Sequence, residues 1–393
     1  MRGLKAWART SIPVLTWRDD KLRAQQNMIR ALRAETAQLR SRLAEHAQPH
    51  SREGSAQQQA QQRPRAAGPS AEDAPSFRRH LLLLRQECDM AVRRDPKAWT
   101  PLMKIPRKLR NYQLAASHGI DTPTVYQVWE TLAEVRLDDL PDEFVFKSDG
   151  GAGGHGVFIM TRVGSDQYLI DGATEPMSRA EFVAMASEKP TRSFRPPFFA
   201  EGVIEVHGQT GRIPEDVKIY ASYGRILLVM LRHIDHPTAL DTCRYRFLDA
   251  GGDEILEPGG AFTVDQSIAV PTQLEEMLDA ARHLSRAVGL GFSRVDLYDA
   301  LGGPVLGEIT RAPGGPQRFH PALDRAMGTT WLQGDHDLAK DLARGRPYGV
   351  LHGPHHAPNR YPSGHVSRAA DPRSWLVRTA PCEQWCRPGS GRT

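Results

Sequence analysis

Residues 294–315 read RVDLYDALGGPVLGEITRAPGG, two strand-like stretches on either side of a glycine turn. Side chains alternate across a strand, so Arg294 and Asp296 share one face of the first stretch. If the second stretch folds back as a hairpin, Glu308 points from the same sheet face toward the same spot, with Thr310 two residues further on. Two carboxylates so placed suit Mg²⁺, a hard cation that takes one or two protein carboxylates and leaves its other positions to phosphates and water. The plainer alternative is ion pairing with Arg294 on a solvated face, which contributes about 0–1 kcal/mol.

Two other segments supply what an Mg²⁺–polyphosphate site would lack. FVFKSDGGAGGHGVFIM, residues 144–160, reads as strand, lysine, glycine-rich loop, strand. Lys147 would set its ammonium on phosphate oxygens. Gly150, Gly151, Gly153, Gly154 and Gly156 let backbone N–H groups approach without a Cβ in the way. No Gly-Lys-Ser/Thr follows, so this is not a Walker loop, and a strand follows where a dinucleotide fingerprint has a helix. A glycine-rich hairpin with no ligand is the competing reading. In FFAEGVIEVHGQTGRIPEDVKIYASYGRILLVMLR, residues 198–232, two strand-like stretches flank a polar loop, with Glu201 and Glu205 at the end of the first. Lys218 shares a sheet face with Tyr220 in the second, where a buried ammonium requires an anionic partner. A phosphate would serve; the alternative is a lysine paired with Asp216 or Glu215 on a surface strand.

The segments LAASHGIDTPTVY, FVFKSDGGAGGHGV, PEDVKIY, GRILLV and RVDLY…GEIT…PGG…FHPALDRAMG run from about residue 105 to 335. This set resembles the TupA-like ATP-grasp family, named for a teichuronopeptide biosynthesis protein. The resemblance implies an α+β, ATP-grasp fold in which two α+β subdomains sandwich ATP. It implies an ADP-forming carboxylate–amine ligase working through an acyl phosphate, with ATP and Mg²⁺ as cofactors. Carried over residue by residue, Lys147 would contact the α/β phosphates under a 150–156 flap. Glu201 would begin the hinge that holds adenine, and Glu205 would bind ribose. Lys218 would reach the terminal phosphates, and Lys108 would match the family's N-terminal phosphate-binding lysine. Asp296 and Glu308 would ligate Mg²⁺. Thr310 stands where such enzymes commonly have the Asn that helps hold a second metal. Arg294 would stabilise the charge on the acyl phosphate or tetrahedral intermediate. The carboxylate and amine substrates would be small molecules or glycans, for a cell-surface polymer or a secondary metabolite. Two alternatives are an ATP-grasp kinase and a nucleotide-binding scaffold that recruits a partner enzyme. Arg232, Arg244 and Arg311 are further cationic positions near the motifs.

At 393 residues the chain has room for more than one domain. Leu22, Ile29, Thr36 and Leu43 recur every seven residues with Leu32 and Leu39 between them. This predicts a coiled-coil helix over 18–48 and a homo-oligomer through it. Residues 49–76, rich in Gln, Ala, Pro and Ser, read as a disordered linker. We expect the ATP-grasp domain at 77–345 and an irregular tail at 346–393. Within the domain, a helix should end at Gly119, and an amphipathic one at 277–292 should close on Gly289 and Gly291. The net charge of +5 reads as a solvated arginine-rich surface, with no zinc-finger spacing or aromatic-interleaved basic motif for nucleic acid. Neither a membrane span nor a signal peptide is legible, so the cytoplasm is the expected location. Cys88 and Cys243 sit in apolar surroundings as core residues. Cys382 and Cys386, in CEQWC, read as incidental to a loose tail, the alternative being a metal site with His352, His355, His356 or His365.

Overall fold

The computed structural model describes residues 74–94, 100–151, 156–189, 194–207, 214–234, 242–260, 262–315, 317–365, 367–368 and 382–386. The chain divides into two units, Met1–Gly68 and Pro69–Thr393. The first, with the heptad helix expected at 18–48, lies outside the described residues, as does most of the expected linker.

The second unit is built on two sheets. The first contains β1 (Val125–Trp129), β2 (Glu143–Gly151), β3 (Val157–Gly164), β4 (Gln167–Ile170) and β5 (Phe194–Glu201), ordered β1-β5-β2-β3-β4. The second contains β6 (Asp216–Ser222), β7 (Arg225–His233), β8 (Arg244–Leu248), β9 (Thr263–Val264), β10 (Ser293–Ala300) and β11 (Gly303–Thr310), ordered β11-β10-β6-β7-β8-β9. Pairing is antiparallel throughout except between β8 and β9. The helices are α1 (Phe77–Arg94), α2 (Pro101–Lys104), α3 (Lys108–Ser117), α4 (Arg179–Ser187), α5 (Leu274–Val288), α6 (Pro321–Ala343) and α7 (Cys382–Cys386). Antiparallel sheets covered by helices make the fold α+β, as expected.

Each element's pattern explains its place. In α1, Phe77, Leu81, Leu84 and Cys88 are buried at helical spacing and form one stripe, with Arg93 and Arg94 at the C-terminal end of the dipole. The stripe packs with Tyr220, Phe292, Phe319, Met327 and Trp331 against one face of the second sheet. The opposite face carries Val217, Ile219, Val229, Leu231, Val295 and Leu297, covered by Met277, Leu278, Ala281 and Leu284 of α5. Helix α4 starts in a capping box, Ser178 with Glu181, and buries Phe182 among Phe144, Phe146, Phe158 and Phe198 of the first sheet. Helix α5 ends at Gly289 with φ +67°, and Gly119 just past α3 has φ +74°, both left-handed turns as the sequence predicts.

Beyond α6, described residues 346–365 form no helix or strand, yet Val350, Leu351, His352 and Tyr361 are buried. The reading of CEQWC as loose tail is corrected: α7 packs on α5, and Cys386 is fully buried in the core beneath the second sheet. Cys88 and Cys243 are buried free thiols, as expected. No helix among the described residues is long and apolar enough to cross a membrane.

Candidate active site

The hairpin of β10 and β11 forms, and a register shift at Gly307 brings Asp296 directly opposite Glu308 and Arg294 opposite Thr310. On the other side of β10, Lys218 of β6 stands opposite Asp296, and Tyr220 opposite Arg294. Directly opposed residues share a sheet face. The three strands therefore carry two parallel rows, Lys218–Asp296–Glu308 and Tyr220–Arg294–Thr310.

The charges interlock. Lys218 Nζ donates to Asp296 Oδ2 at 2.7 Å and lies 3.3 Å from Asp216. The Arg294 guanidinium forks onto Asp296, with Nε 2.6 Å from Oδ1 and Nη2 2.7 Å from Oδ2. Its Nη2 also reaches Glu308 at 3.4 Å and the Thr310 hydroxyl at 3.2 Å, and that hydroxyl donates to Glu308 at 3.1 Å. Asp296 is 4% exposed and Glu308 33%, so the pair has a closed member and an open one. Burial alone would push the Glu308 carboxyl up, but Lys108, Arg294 and Lys218 hold it down at about 2. Burial would likewise discharge Arg294, and Asp296 reverses that. The alternative that Lys218 pairs with Asp216 on a surface strand is half right: the pair forms, but Lys218 is buried.

The glycine-rich segment approaches from the first sheet. β2 and β3 pair as a hairpin, Lys147 opposite Val157, with Gly150 and Gly151 closing β2 and Gly156 opening the return. Gly153 and Gly154 lie outside the described residues. A Cβ on Gly156 would stand 2.5 Å from Ser148 Oγ, and one on Gly150 2.7 Å from the Arg107 guanidinium. Asp149 fixes the strand to α3. Its Oδ1 accepts from the Leu109 backbone N–H at 2.9 Å, while Tyr361 donates to Oδ2 at 2.9 Å and Arg107 lies 3.6 Å away. This places Lys108, at the start of α3, between the sheets. Its ammonium is 3.4 Å from Gly151 O and 3.7 Å from Glu308.

Lys147 forms a buried ion pair with Glu201, whose second oxygen accepts from Tyr112 at 2.9 Å. Segment 202–207 leads from β5 toward β10, joined by Gly202 N–H to Thr124 O, Leu301 N–H to Glu205 O and His207 N–H to Asp299 O. The Glu205 side chain is exposed. Arg232 is paired with Asp216, Arg244 with Asp265, and Arg311 with Leu102 O.

A model of the TupA-like ATP-grasp family matches residues 89–332, the stretch that holds both rows, Lys108 and the glycine-rich hairpin. The chain belongs to the TupA-like ATP-grasp family. It has the ATP-grasp fold, as its motifs imply. Among solved structures it is similar to D-alanine–D-alanine ligase from Bacillus anthracis complexed with ATP, with 13% identity and a TM-score of 0.36 over 62% of this chain and 69% of that one. It is similar also to an L-amino acid ligase from Bacillus licheniformis, with 16% identity and a TM-score of 0.32 over 55% and 43%. A third is a RimK domain ATP-grasp protein from Sphaerobacter thermophilus, with 11% identity and a TM-score of 0.33 over 59% and 67%. No curated protein matches the chain.

Sequence reasoning passes over four residues of this candidate site. Tyr298 follows Asp296 on the same strand face, and burial and then Asp216, Glu201 and Glu308 raise its hydroxyl pKa well above the ordinary value. Gly307 makes room for that ring, since a Cβ there would stand 2.7 Å from Tyr298 Cε2. The RVDLY motif contains Tyr298, and the skipped register at Gly307 could have flagged it. Tyr112 and Asp149 act through contacts of α3 with β5 and β2 that no local pattern reveals.

Proposed function

We propose that the chain is an ATP- and Mg²⁺-dependent carboxylate–amine ligase that forms an amide through an acyl phosphate. The observation that supports it is the row Lys218–Asp296–Glu308 facing Lys108 and the glycine-rich hairpin. The donor set fits the cofactors. Two carboxylates oppose each other on adjacent strands, one of them partly open, as a hard divalent ion requires. Lys108, Lys218 and Arg294 lie against them as counter-charges for a triphosphate. When held by Asp296 and Glu308, Mg²⁺ would offset the charge that develops at the transferred group.

In the reaction, a substrate carboxylate oxygen attacks the γ-phosphorus, and the bond from that phosphorus to the ADP oxygen breaks. The amine nitrogen then attacks the acyl carbon, phosphate leaves with the C–O electron pair, and the nitrogen loses a proton. The protein contributes orientation and charge. Lys147 and Lys218 hold the phosphates, the 150–156 loop covers them, and Lys108 ties that loop to Glu308. Arg294 neutralises the acyl phosphate. The 201–205 segment takes the base and ribose, and Asp296, Glu308 and Thr310 take the metal. The substrates are small-molecule or glycan carboxylates and amines. We assign this work to residues 77–345 in the cytoplasm, with residues 18–48 joining chains into an oligomer.

The test is calorimetry of the full-length protein with Mg²⁺ and a non-hydrolysable ATP analogue, alongside Glu308→Gln. This variant is preferable to one at Asp296, whose loss would leave Lys218 and Arg294 buried without their partner. We expect Mg²⁺-dependent binding that weakens tenfold or more in Glu308→Gln. Unchanged Mg²⁺-dependent binding would sink the metal assignment. A screen for ADP release then reads the product. A phosphorylated acceptor without amide would make the protein a kinase, and nucleotide binding without ADP release or product would make it a nucleotide-binding scaffold.

A further inference from the structure

Away from the ATP-grasp site, three segments distant in sequence bring together two imidazoles and a sulfur. His118 caps the C-terminal end of α3, His283 lies on α5, and Cys386 ends α7. Their ligating atoms all lie within 4.8 Å of one another. The two rings are 4.6 Å apart at 74°, with His283 Nε2 2.9 Å from His118 Nδ1.

The hydrogen bonds fix which nitrogen is available. His118 Nε2 lies 2.8 Å from the Leu351 carbonyl oxygen, an acceptor, so Nε2 carries the proton. A neutral ring then presents the lone pair of Nδ1 toward His283 and Cys386. An imidazole with one nitrogen unprotonated and the other N–H donated to a backbone carbonyl is the arrangement metal-bound histidines adopt. His352 and His355 stand close enough to act on His118, and the His355 ring is 3.2 Å from where a Gly119 Cβ would be.

We infer that, once its disulfide is reduced, Cys386 joins His118 and His283 in a site for a borderline-soft divalent ion, Zn²⁺, that pins the C-terminal helix to α3 and α5. Cys386 is disulfide-bonded in this structure, and a sulfur in that state offers no thiolate. A thiol reductant supplies two electrons, is itself oxidised to a disulfide, and releases the Cys386 thiol. On metal binding that thiol loses its proton to solvent, and His283 changes tautomer, giving up its Nε2 proton and taking one on Nδ1, so that the ring stays neutral and Nε2 offers its lone pair to the ion. Tetrahedral zinc with Zn–N of about 2.0–2.1 Å and Zn–S of about 2.3 Å separates its ligands by about 3.3–3.6 Å. The imidazole pair would open slightly and the sulfur draw in. Two nitrogens and a thiolate favour zinc over magnesium or calcium, and three protein ligands leave a fourth position for water or a neighbouring imidazole. The site responds to redox state because the disulfide and the metal compete for one sulfur.

The experiment uses full-length protein stripped with a chelator, reduced and kept anaerobic, then titrated with Co²⁺ as a spectroscopic probe. We expect one equivalent to saturate a thiolate-to-cobalt charge-transfer band with tetrahedral ligand-field bands, displaced by Zn²⁺. Cys386→Ser should abolish the charge-transfer band with an unchanged far-UV spectrum. His283→Gln should weaken binding tenfold or more, and oxidation with diamide should prevent it. If the serine variant does not fold, the glutamine variant and the oxidised wild type decide. Absence of the band in reduced protein, a full band in Cys386→Ser, or equal affinity in the oxidised protein would each overturn the site.

Discussion

Lys147 and Glu201 sit on the neighbouring strands β2 and β5, 8% and 1% exposed, with the Tyr112 hydroxyl on the second carboxylate oxygen. Removing one member of a buried pair leaves the other charged and desolvated, a loss of about 3–5 kcal/mol, whereas replacing both is far milder. Lys147→Met should therefore destabilise the protein by that amount in urea unfolding, and Lys147→Met with Glu201→Gln should recover most of it. A double variant as unstable as the single would refute the pairing. The double variant is also the one in which to ask whether Lys147 binds phosphate, because it separates a lost contact from a lost fold. Glu308 behaves differently. Its folded pKa of about 2 lies below the ordinary 4.5, so its ionised contribution is full above pH 4.5 and is lost as pH falls from there through 2. An acid limb in the activity profile between pH 5 and 8 would belong to another group.

Helix α6 lies against the second sheet and the start of α1 through glycines, where a side chain would meet main chain. A Cβ on Gly334 would stand 2.6 Å from the Ser222 carbonyl oxygen, and one on Gly328 2.5 Å from the Ser76 backbone nitrogen. Neither neighbour is the free end of a flexible side chain. Gly334→Ala should therefore cost about 1–3 kcal/mol despite alanine's better helix propensity, because the helix must shift off the sheet. Chemical denaturation reads this directly, and an unchanged or raised midpoint would mean the packing is looser than described. Much at this scale is legible in the sequence. The two strands of the Asp296–Glu308 hairpin are legible, although the bulge at Gly307 that sets their register is not, and Gly119 and Gly289 mark helix ends with the φ values they adopt. What is not legible depends on strand order. That β5 lies beside β2, bringing Glu201 to Lys147, or that Asp149 anchors α3, follows from pairings between distant segments.

Across the whole molecule, the tail shows how far local pattern can mislead. Residues 346–365 have the Pro, Gly and His content of loose chain, yet His352 and Tyr361 are buried, and Leu351 supplies both a carbonyl to His118 and an N–H to Ala287 O. Buried neutral imidazoles make stability depend on pH. Burial holds His352 at about 4, and burial with His283 holds His118 at about 3, both below the ordinary 6.5. The sign follows from proton counting. Below pH 6.5 the unfolded chain takes up a proton on each ring, and the folded chain does not until about pH 4 and pH 3. Stability is therefore full above 6.5 and falls as pH drops through the window from 6.5 to 4. Each ring contributes up to about 1.4 kcal/mol per pH unit, so the two together should remove about 3 kcal/mol between pH 7.5 and 5.5. Asp335, raised to about 6 by burial and Glu87, works in the opposite direction and offsets part of this loss. Urea unfolding of metal-free protein at pH 7.5, 6.5 and 5.5 measures the slope, and His352→Gln, which cannot titrate, should lose about half of it. A wild type equally stable at pH 7.5 and 5.5, or a His352→Gln variant with the full slope, would show that these rings are not held neutral by the fold.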